Sequence, residues 1–282
     1  MTLTISFEVF PPKTSDGLQA LTDTARRLDA VTPAFVSVTY GAGGSDRERS
    51  FEAMRAVRAA GSTSIAGHLT CVGQSKRDVL AVIERFQELG VDHVVALRGD
   101  PPGGIDAAYE PHPDGYRSTA ELVAAIKSSG DVTVSVSAYP ERHPQSPTDT
   151  HDLDVLAAKI DAGADQAMTQ MFFDNDRYFE YRDRVRARGI DVPIVPGIFP
   201  IHSFPAVARF AQRCGATIPQ RIVDRFSGLD DDLATTHEVA ADLAAEQINE
   251  LRVHGADAVH IYTLNRSELA LSVCRRLELV SA

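Results

Sequence analysis

The sequence predicts a (β/α)8 barrel of the TIM type, forming one domain over residues 1–282. Three observations carry that expectation. About eight short apolar segments alternate with helical patterns at near-regular spacing. The length suits such a barrel, which typically needs roughly 250 residues. No linker-like change in composition divides the chain. A doubly wound open sheet is the alternative, and the lack of a G-x-G-x-x-G motif after the first strand weakens it.

The elements follow in order. Leu3 to Phe10 alternates apolar and polar residues, the pattern of a strand, and Pro11-Pro12 ends it. Thr14 or Ser15 can cap a helix running to about Leu28, with Leu18, Leu21, Ala25 and Leu28 as its stripe. Ala34 to Tyr40 is the second strand, followed by the loop Gly41-Ala42-Gly43-Gly44 and a helix from Ser45 or Asp46 to near Gly61. Ser64 to Cys71 is a strand and Ser75 to Leu89 a helix stopped by Gly90. His93 to Leu97 is the fourth strand. Asp100 to Gly115 is the longest irregular stretch, and loops of that length are usually functional or mobile. Ser118 to Ser128 is a helix, Val132 to Tyr139 a strand, and Pro140 to Thr150 a second polar loop. Asp152 to Ala162 is a helix, Gln166 to Phe173 a strand, and Asp174 to Arg188 a charged amphipathic helix. Pro193 to Ile198 is a short strand and Ser203 to Arg213 a helix. Asp231 to His254 is a longer helix, Ala258 to Tyr262 the last strand and Ser267 to Leu277 the last helix. The excess length lies between Thr217 and Thr236.

The net charge of −11 argues against nucleic acid or an anionic membrane as main partner. Cys71, Cys214 and Cys274 are scattered and lack metal-ligand spacing, so they read as reduced thiols of a cytoplasmic protein, and no metal is expected. The first residues have no basic region, so no secretory signal is expected, and no apolar run reaches the roughly 20 residues of a membrane span.

Chemistry concentrates where strands end. In Leu97-Arg98-Gly99-Asp100-Pro101-Pro102-Gly103-Gly104 an apolar run stops at prolines and glycines. An Arg and an Asp therefore stand at a strand's C-terminal end, the ligand-binding end of a parallel barrel, beside glycines that admit close backbone approach. The other reading is a turn with a surface ion pair. Strand alternation also sorts faces, because helix-covered positions must be apolar. Leu3, Ile5, Phe7 and Val9 point outward, and Thr4, Ser6 and Glu8 inward. Ser37 and Thr39, His68 and Thr70, and Ser135, Ser137 and Tyr139 likewise point inward, and Met168 shares a face with Gln170. Interiors of such barrels are normally filled by branched apolar side chains. Polar groups in this one must satisfy each other or hold a polar ligand.

Glu8, entering a partly apolar cavity, is expected to have a raised pKa suited to a general acid. A carboxylate paired to an interior Lys or Arg is the alternative. Asp100, near backbone amides, is expected to be ionised, so the two carboxylates fit different roles. His143 could contact a phosphate or be solvated, and Lys159 reads as a surface charge. Phe172 and Phe173 read as core aromatics, Arg266 as an anion ligand or a cap, and Ala240 to Ala245 as a close-packing helix face.

Eight segments in this order resemble the methylenetetrahydrofolate reductases in their short bacterial form: Phe7-Glu8-Val9-Phe10-Pro11-Pro12, Val38-Thr39-Tyr40-Gly41-Ala42, Gly67-His68-Leu69-Thr70-Cys71, Ala96-Leu97-Arg98-Gly99-Asp100, Ala138-Tyr139-Pro140-Glu141, Thr169-Gln170-Met171-Phe172-Phe173-Asp174, Pro196-Gly197-Ile198 and Tyr262-Thr263-Leu264-Asn265-Arg266. The resemblance spans nearly the whole chain. It implies a barrel holding FAD that reduces 5,10-methylenetetrahydrofolate to 5-methyltetrahydrofolate with NADH or NADPH, in one-carbon metabolism and methionine synthesis. Glu8 matches the family's acid, which assists opening of the folate's imidazolidine ring. Asp100 matches the acidic residue beside flavin and pterin. Gln170 matches a folate-contacting amide. Thr39, His68, Leu97, Arg98, Gly99, Tyr139 and His143 match flavin-contacting positions, and Asp152 and Lys159 those around the FAD ribose and diphosphate. Phe210, Tyr262 and Arg266 match positions near the substrate face.

Val155 and Ala158 stand where some relatives have polar or basic residues near the FAD phosphates, which implies weaker FAD retention. Ala206 stands where some have a substrate-contacting glutamine. Without a long C-terminal extension, the S-adenosylmethionine-regulated domain of eukaryotic relatives is not expected. An oligomer is expected by analogy alone. The alternatives are a flavin-independent reductase of the same substrate, a folate-binding barrel methyltransferase, and a non-catalytic paralogue that keeps the fold as a binding module.

Overall fold

A computed structural model of the chain describes residues 3–41, 44–61, 63–101, 103, 107–229 and 231–280, with backbone alone at 44 and 45. Ala42, Gly43, Pro102 and Gly104, named above as loop residues, lie outside that set. The first half runs β1 (Thr4–Val9), α1 (Ser15–Asp29), β2 (Phe35–Val38), α2 (Gly44–Ala60), β3 (Ser64–Thr70), α3 (Lys76–Glu88), β4 (His93–Leu97) and α4 (Thr119–Ser128). The second half runs β5 (Thr133–Ala138), α5 (Asp149–Asp161), β6 (Gln166–Thr169), α6 (Asn175–Ala187), β7 (Ile194–Val195), β8 (Gly197–Ile198), α7 (Phe204–Cys214), α8 (Gln220–Phe226), α9 (Leu233–Val253), β9 (Ala258–Tyr262) and α10 (Ser267–Arg276).

All pairings are parallel, and the strand order is β7-β6-β5-β4-β3-β2-β1-β9-β8. The two ends of that order are consecutive in the chain. Pro196 separates β7 from β8, so one short stave pairs with β6 on one side and with β9 on the other. The Pro196 carbonyl accepts from His260 N–H at 2.9 Å and holds the seam. The sheet is therefore a (β/α)8 barrel, with β7 and β8 as two halves of its seventh stave.

Local chemistry sets the helix starts. Thr14 Oγ1 accepts from Gly17 N–H and caps α1. Ser75 and Asp78 form a capping box at α3, and Ser118 and Thr148 cap α4 and α5. The outward residues Leu3, Ile5, Phe7 and Val9 are buried between sheet and helices, as the alternation requires. Burial of one such side chain contributes about 1.5–3 kcal/mol. Phe172 and Phe173 are both buried, as are Ala240, Ala241, Ala244 and Ala245 on the packed face of α9.

Several expectations of extent are corrected: β6, expected to run from Gln166 to Phe173, ends at Thr169. The second strand is Phe35–Val38 rather than Ala34 to Tyr40, because Thr39 and Tyr40 turn toward the barrel mouth. Helix α2 begins at Gly44, one residue before the anticipated cap. The stretch between Thr217 and Thr236 contains the extra helix α8, which buries Ile222 and Phe226. No helix of the described residues is long and apolar enough to cross a membrane, and Cys71, Cys214 and Cys274 form no disulfide.

Candidate active site

Strand alternation gives the barrel interior two characters. Phe35, Ala66, Val95, Met168 and Val195 form an apolar plug, separate from the core between sheet and helices. Around and beyond it stand the polar residues of the same inward phase. Ser6 Oγ lies 2.7 Å from His260 Nδ1, and Ser135 Oγ lies 2.7 Å from His93 Nε2. At the strands' C-terminal ends the interior opens into a cavity of about 430 Å³. Glu8, Thr39, His68, Thr70, Gln170 and Tyr262 are among its lining residues.

Glu8 is held from behind. Thr263 donates to the Glu8 carbonyl through N–H and Oγ1, the latter at 2.6 Å, which fixes the end of β1. The Glu8 Oε2 atom is 3.3 Å from His68 Nε2 and 3.9 Å from His260 Nε2. The longer distance exceeds a hydrogen bond, so His260 acts on Glu8 electrostatically here. Burial by itself raises the carboxyl, but the imidazoles of His260 and His68 outweigh it and Glu8 lies below its usual value. The expected raised pKa is therefore corrected. The residues facing Glu8 are imidazoles rather than apolar groups, Lys or Arg. Burial pushes His68 down, against the pull of Glu8. The cluster can store a proton beside the cavity without leaving a lone charge in the barrel.

Opposite Glu8, the Gln170 Oε1 atom accepts from Met171 N–H at 2.9 Å, which leaves its amide nitrogen for a ligand. The Tyr262 hydroxyl donates to the Thr169 carbonyl at 2.7 Å. Its ring fills space that Gly197 leaves open, since a Cβ there would stand 2.7 Å from the ring and 2.2 Å from the Thr169 carbonyl oxygen. Phe199 packs between Phe210 and Tyr262, with ring centroids 5.8 and 6.0 Å apart. These rings make an apolar wall at the mouth.

A second cavity of about 290 Å³ shares Leu97, Asp100, Ser137 and Tyr139 with the first. Its charged side chains are Arg98 and Lys159 on one hand and Asp100 and Asp152 on the other. Lys159 reaches in from α5 and donates to the Ser137 carbonyl at 2.9 Å and to its hydroxyl at 3.2 Å. Arg98 donates to Gln145 Oε1 at 2.6 Å and stacks over the Tyr109 ring. Asp152 accepts from His143 N–H at 3.0 Å and from the Ser146 hydroxyl, tying loop to helix. His143 lies edge-on to the Tyr139 ring at 4.7 Å. Gly99 has φ +84°, and a Cβ there would meet Val72 at 2.4 Å, so this close turn needs glycine. A half-buried Arg and a buried Lys in one cleft suit an anionic group such as a diphosphate.

Three comparisons bear on this arrangement. Residues 1–278 match the family profile described as methylenetetrahydrofolate reductase. The chain belongs to the methylenetetrahydrofolate reductase family. It is 41% identical over 277 residues to the 5,10-methylenetetrahydrofolate reductase of Pectobacterium carotovorum, covering 98% of this chain and 90% of that one. It is 38% identical over 275 residues to the enzyme of the same name from Escherichia coli, with the same coverages. Among solved structures, an uncharacterized protein from Clostridium thermocellum that binds two copies of 5-methyl-5,6,7,8-tetrahydrofolic acid shares the fold. Its TM-score is 0.64 at 13% identity, over 98% of this chain and 96% of that one.

The residues that the family resemblance singles out converge. Glu8, Thr39, His68, Gln170, Phe210 and Tyr262 line the first cavity, Arg98, Gly99, His143, Asp152 and Lys159 the second, and Leu97, Asp100 and Tyr139 both. Arg266 lines neither: it is exposed at the start of α10 without a side-chain cap bond. Lys159 corrects the sequence reading of it as a surface charge, since only 5% of it is exposed. Sequence reasoning missed His93 and His260, both inside the barrel. The alternation Val259-His260-Ile261 carries the same signal that located His68, whereas His93 is followed by two valines and carries no such signal.

Proposed function

We propose that this chain reduces 5,10-methylenetetrahydrofolate to 5-methyltetrahydrofolate, with NADH or NADPH as reductant and FAD as resident cofactor. The observation that carries the reading is the pair of joined cavities, with a carboxyl–imidazole cluster at one end and the buried Lys159 beside the half-buried Arg98 at the other. A buried polar atom without a partner fits such a tenant: Thr70 Oγ1, in the wall of the first cavity, makes no hydrogen bond within the protein. Arg98, His143, Asp152 and Lys159 would hold the ribose and diphosphate. Thr39, His68, Leu97, Gly99 and Tyr139 would hold the ring system. When bound, FAD supplies the hydride-transfer chemistry that side chains lack.

The chain's own residues do the rest. Gln170 orients the pterin with its amide, while Phe210 and Tyr262 cover the substrate's aromatic portion and exclude water. Asp100, where the cavities meet, sets the local charge and positions the pterin edge. Glu8 gives a proton to the imidazolidine nitrogen, which weakens the C–N bond and opens the ring to the iminium that accepts hydride. General acid catalysis of this kind contributes on the order of 10²–10⁴ in rate. Val155, which lines the second cavity, offers no polar contact there, consistent with modest FAD retention. A cytoplasmic setting, a supply of methyl groups for methionine synthesis and a homo-oligomeric state complete the reading.

A spectrum tests it. Purified or FAD-reconstituted protein should show an oxidised-flavin band that NADH or NADPH bleaches and methylenetetrahydrofolate restores under anaerobic conditions. A protein that takes up no flavin yet reduces the folate is a flavin-independent reductase. One that binds folate and passes no hydride is a binding module or methyltransferase.

A further inference from the structure

We propose that His260, oriented by Ser6, is a positioning residue that carries the proton Glu8 delivers to substrate. The inference rests on Glu8 acting as the acid. His260 sits one register step toward the N-terminal ends of the strands: Ser6 pairs with His260, and Glu8 with Tyr262. Its side chain is fully buried, and its Nε2 atom points toward Glu8 Oε2 without a hydrogen-bond partner inside the protein. Its other nitrogen is 2.7 Å from Ser6 Oγ. A buried imidazole with one nitrogen anchored and the other turned on a carboxylate is a fixed-tautomer arrangement.

The groups facing it come from β1 to β4 and from its own strand. Phe35 on β2 stacks on the ring at 5.7 Å, and Tyr262 lies edge-on at 5.3 Å. Glu8 on β1 is the nearest acid, while His68 on β3 and His93 on β4 are further bases of the interior. His93 is engaged by Ser135, and His68 shares the Glu8 oxygen from the other side. His260 thus has one acidic outlet, Glu8, and the carboxyl has 22% of its side chain exposed for exchange with substrate or solvent.

The step balances as a proton transfer. The Glu8 carboxyl first closes the 3.9 Å gap to hydrogen-bond distance; the Nε2–H bond of the His260 imidazolium then breaks and an Oε2–H bond forms on Glu8. His260 then stays neutral with its proton on Nδ1, donated to Ser6 Oγ. The Ser6 hydroxyl turns its hydrogen to the Val259 carbonyl, 3.4 Å away. Glu8 passes its proton to the substrate nitrogen, and the cluster regains one from solvent through the carboxyl.

The test combines kinetics and NMR. On the holoenzyme, kcat and KM for methylenetetrahydrofolate are measured against pH for wild type, His260→Gln and Ser6→Ala. Histidine side-chain NMR follows His260 in wild type and in Glu8→Gln. His260→Gln should lower kcat at least tenfold with KM within about twofold, and should move the alkaline limb of the profile to lower pH. Ser6→Ala should move it the same way by less. In Glu8→Gln the His260 Nε2 resonance should move from its wild-type position, because the carboxylate it faces is gone. An equal loss at every pH, with the limb in place, marks a merely structural residue and overturns the proposal. So does a His260 Nε2 resonance indifferent to Glu8→Gln. If His260→Gln does not fold, Ser6→Ala and the NMR comparison decide. Wild-type protein that never reduces the folate sinks the functional reading instead, and the NMR coupling still reports on the pair.

Discussion

Lys159 projects inward from α5 and donates to the backbone carbonyl of Ser137 on β5 at 2.9 Å, which turns a helix residue into part of the cavity wall. Burial pulls its ammonium down to about 8, with Asp152 opposing and Arg98 assisting. In the ligand-free protein the positive charge is therefore present below that pH and lost above it. FAD affinity, measured by flavin fluorescence titration, should weaken as pH rises from 7 to 9. Lys159→Met should bind FAD at least tenfold more weakly at pH 7 and show a flat profile over that range. A native affinity in Lys159→Met would remove the diphosphate assignment.

Asp100 stands where the two cavities meet. Loss of a negative charge beside a flavin stabilises the reduced, more electron-rich form, since like charges a few ångströms apart repel by about a kcal/mol or more. Asp100→Asn should raise the flavin potential and slow folate reduction at least tenfold. Spectroelectrochemistry and stopped-flow reoxidation measure both. An unchanged potential with unchanged turnover would reject the role.

Gly197 makes room for Tyr262. A methyl group there would meet the Thr169 carbonyl oxygen, which is backbone and cannot swing away, and the phenol ring, which can. Gly197→Ala should destabilise the protein by about 1–3 kcal/mol, the usual cost of overpacking. It should also raise KM for the folate, because Tyr262 must leave its place on the wall. Thermal unfolding and steady-state kinetics check the two effects separately. Native stability together with native KM would show that the strand seam tolerates the methyl group.

His93 is buried and held down to about 4, chiefly by burial and then by His260. The unfolded chain takes up a proton on this residue near pH 6.5, and the fold does not until about 4. Stability is thus present above pH 6.5 and lost as pH falls from there through 4. His93→Gln should flatten that part of the stability curve, measured as denaturant midpoint against pH. A slope identical to wild type would assign the acid sensitivity to other groups.

The fold was legible because each stave alternates cleanly and each helix has its own stop. Leu3 to Val9 shows the first, and Gly90 and Gly189 the second. The split seventh stave was not, since two residues on either side of Pro196 carry no period. The cavity residues were legible by phase where the strand carries polar side chains, as at Glu8, His68 and Tyr139. Lys159 was not, because a lysine's long stem can turn either to solvent or, as here, into the barrel. The charge state of Glu8 was also hidden. It depends on His260, which is more than 250 residues away in the chain and adjacent only after the ring closes.

Glu8→Gln is the most direct test that this mouth delivers a proton to a folate. Single-turnover absorbance should show its bound flavin reduced by NADH or NADPH at the native rate. Reoxidation by methylenetetrahydrofolate should then be slower by about two orders of magnitude or more. Reoxidation at the native rate would contradict the account.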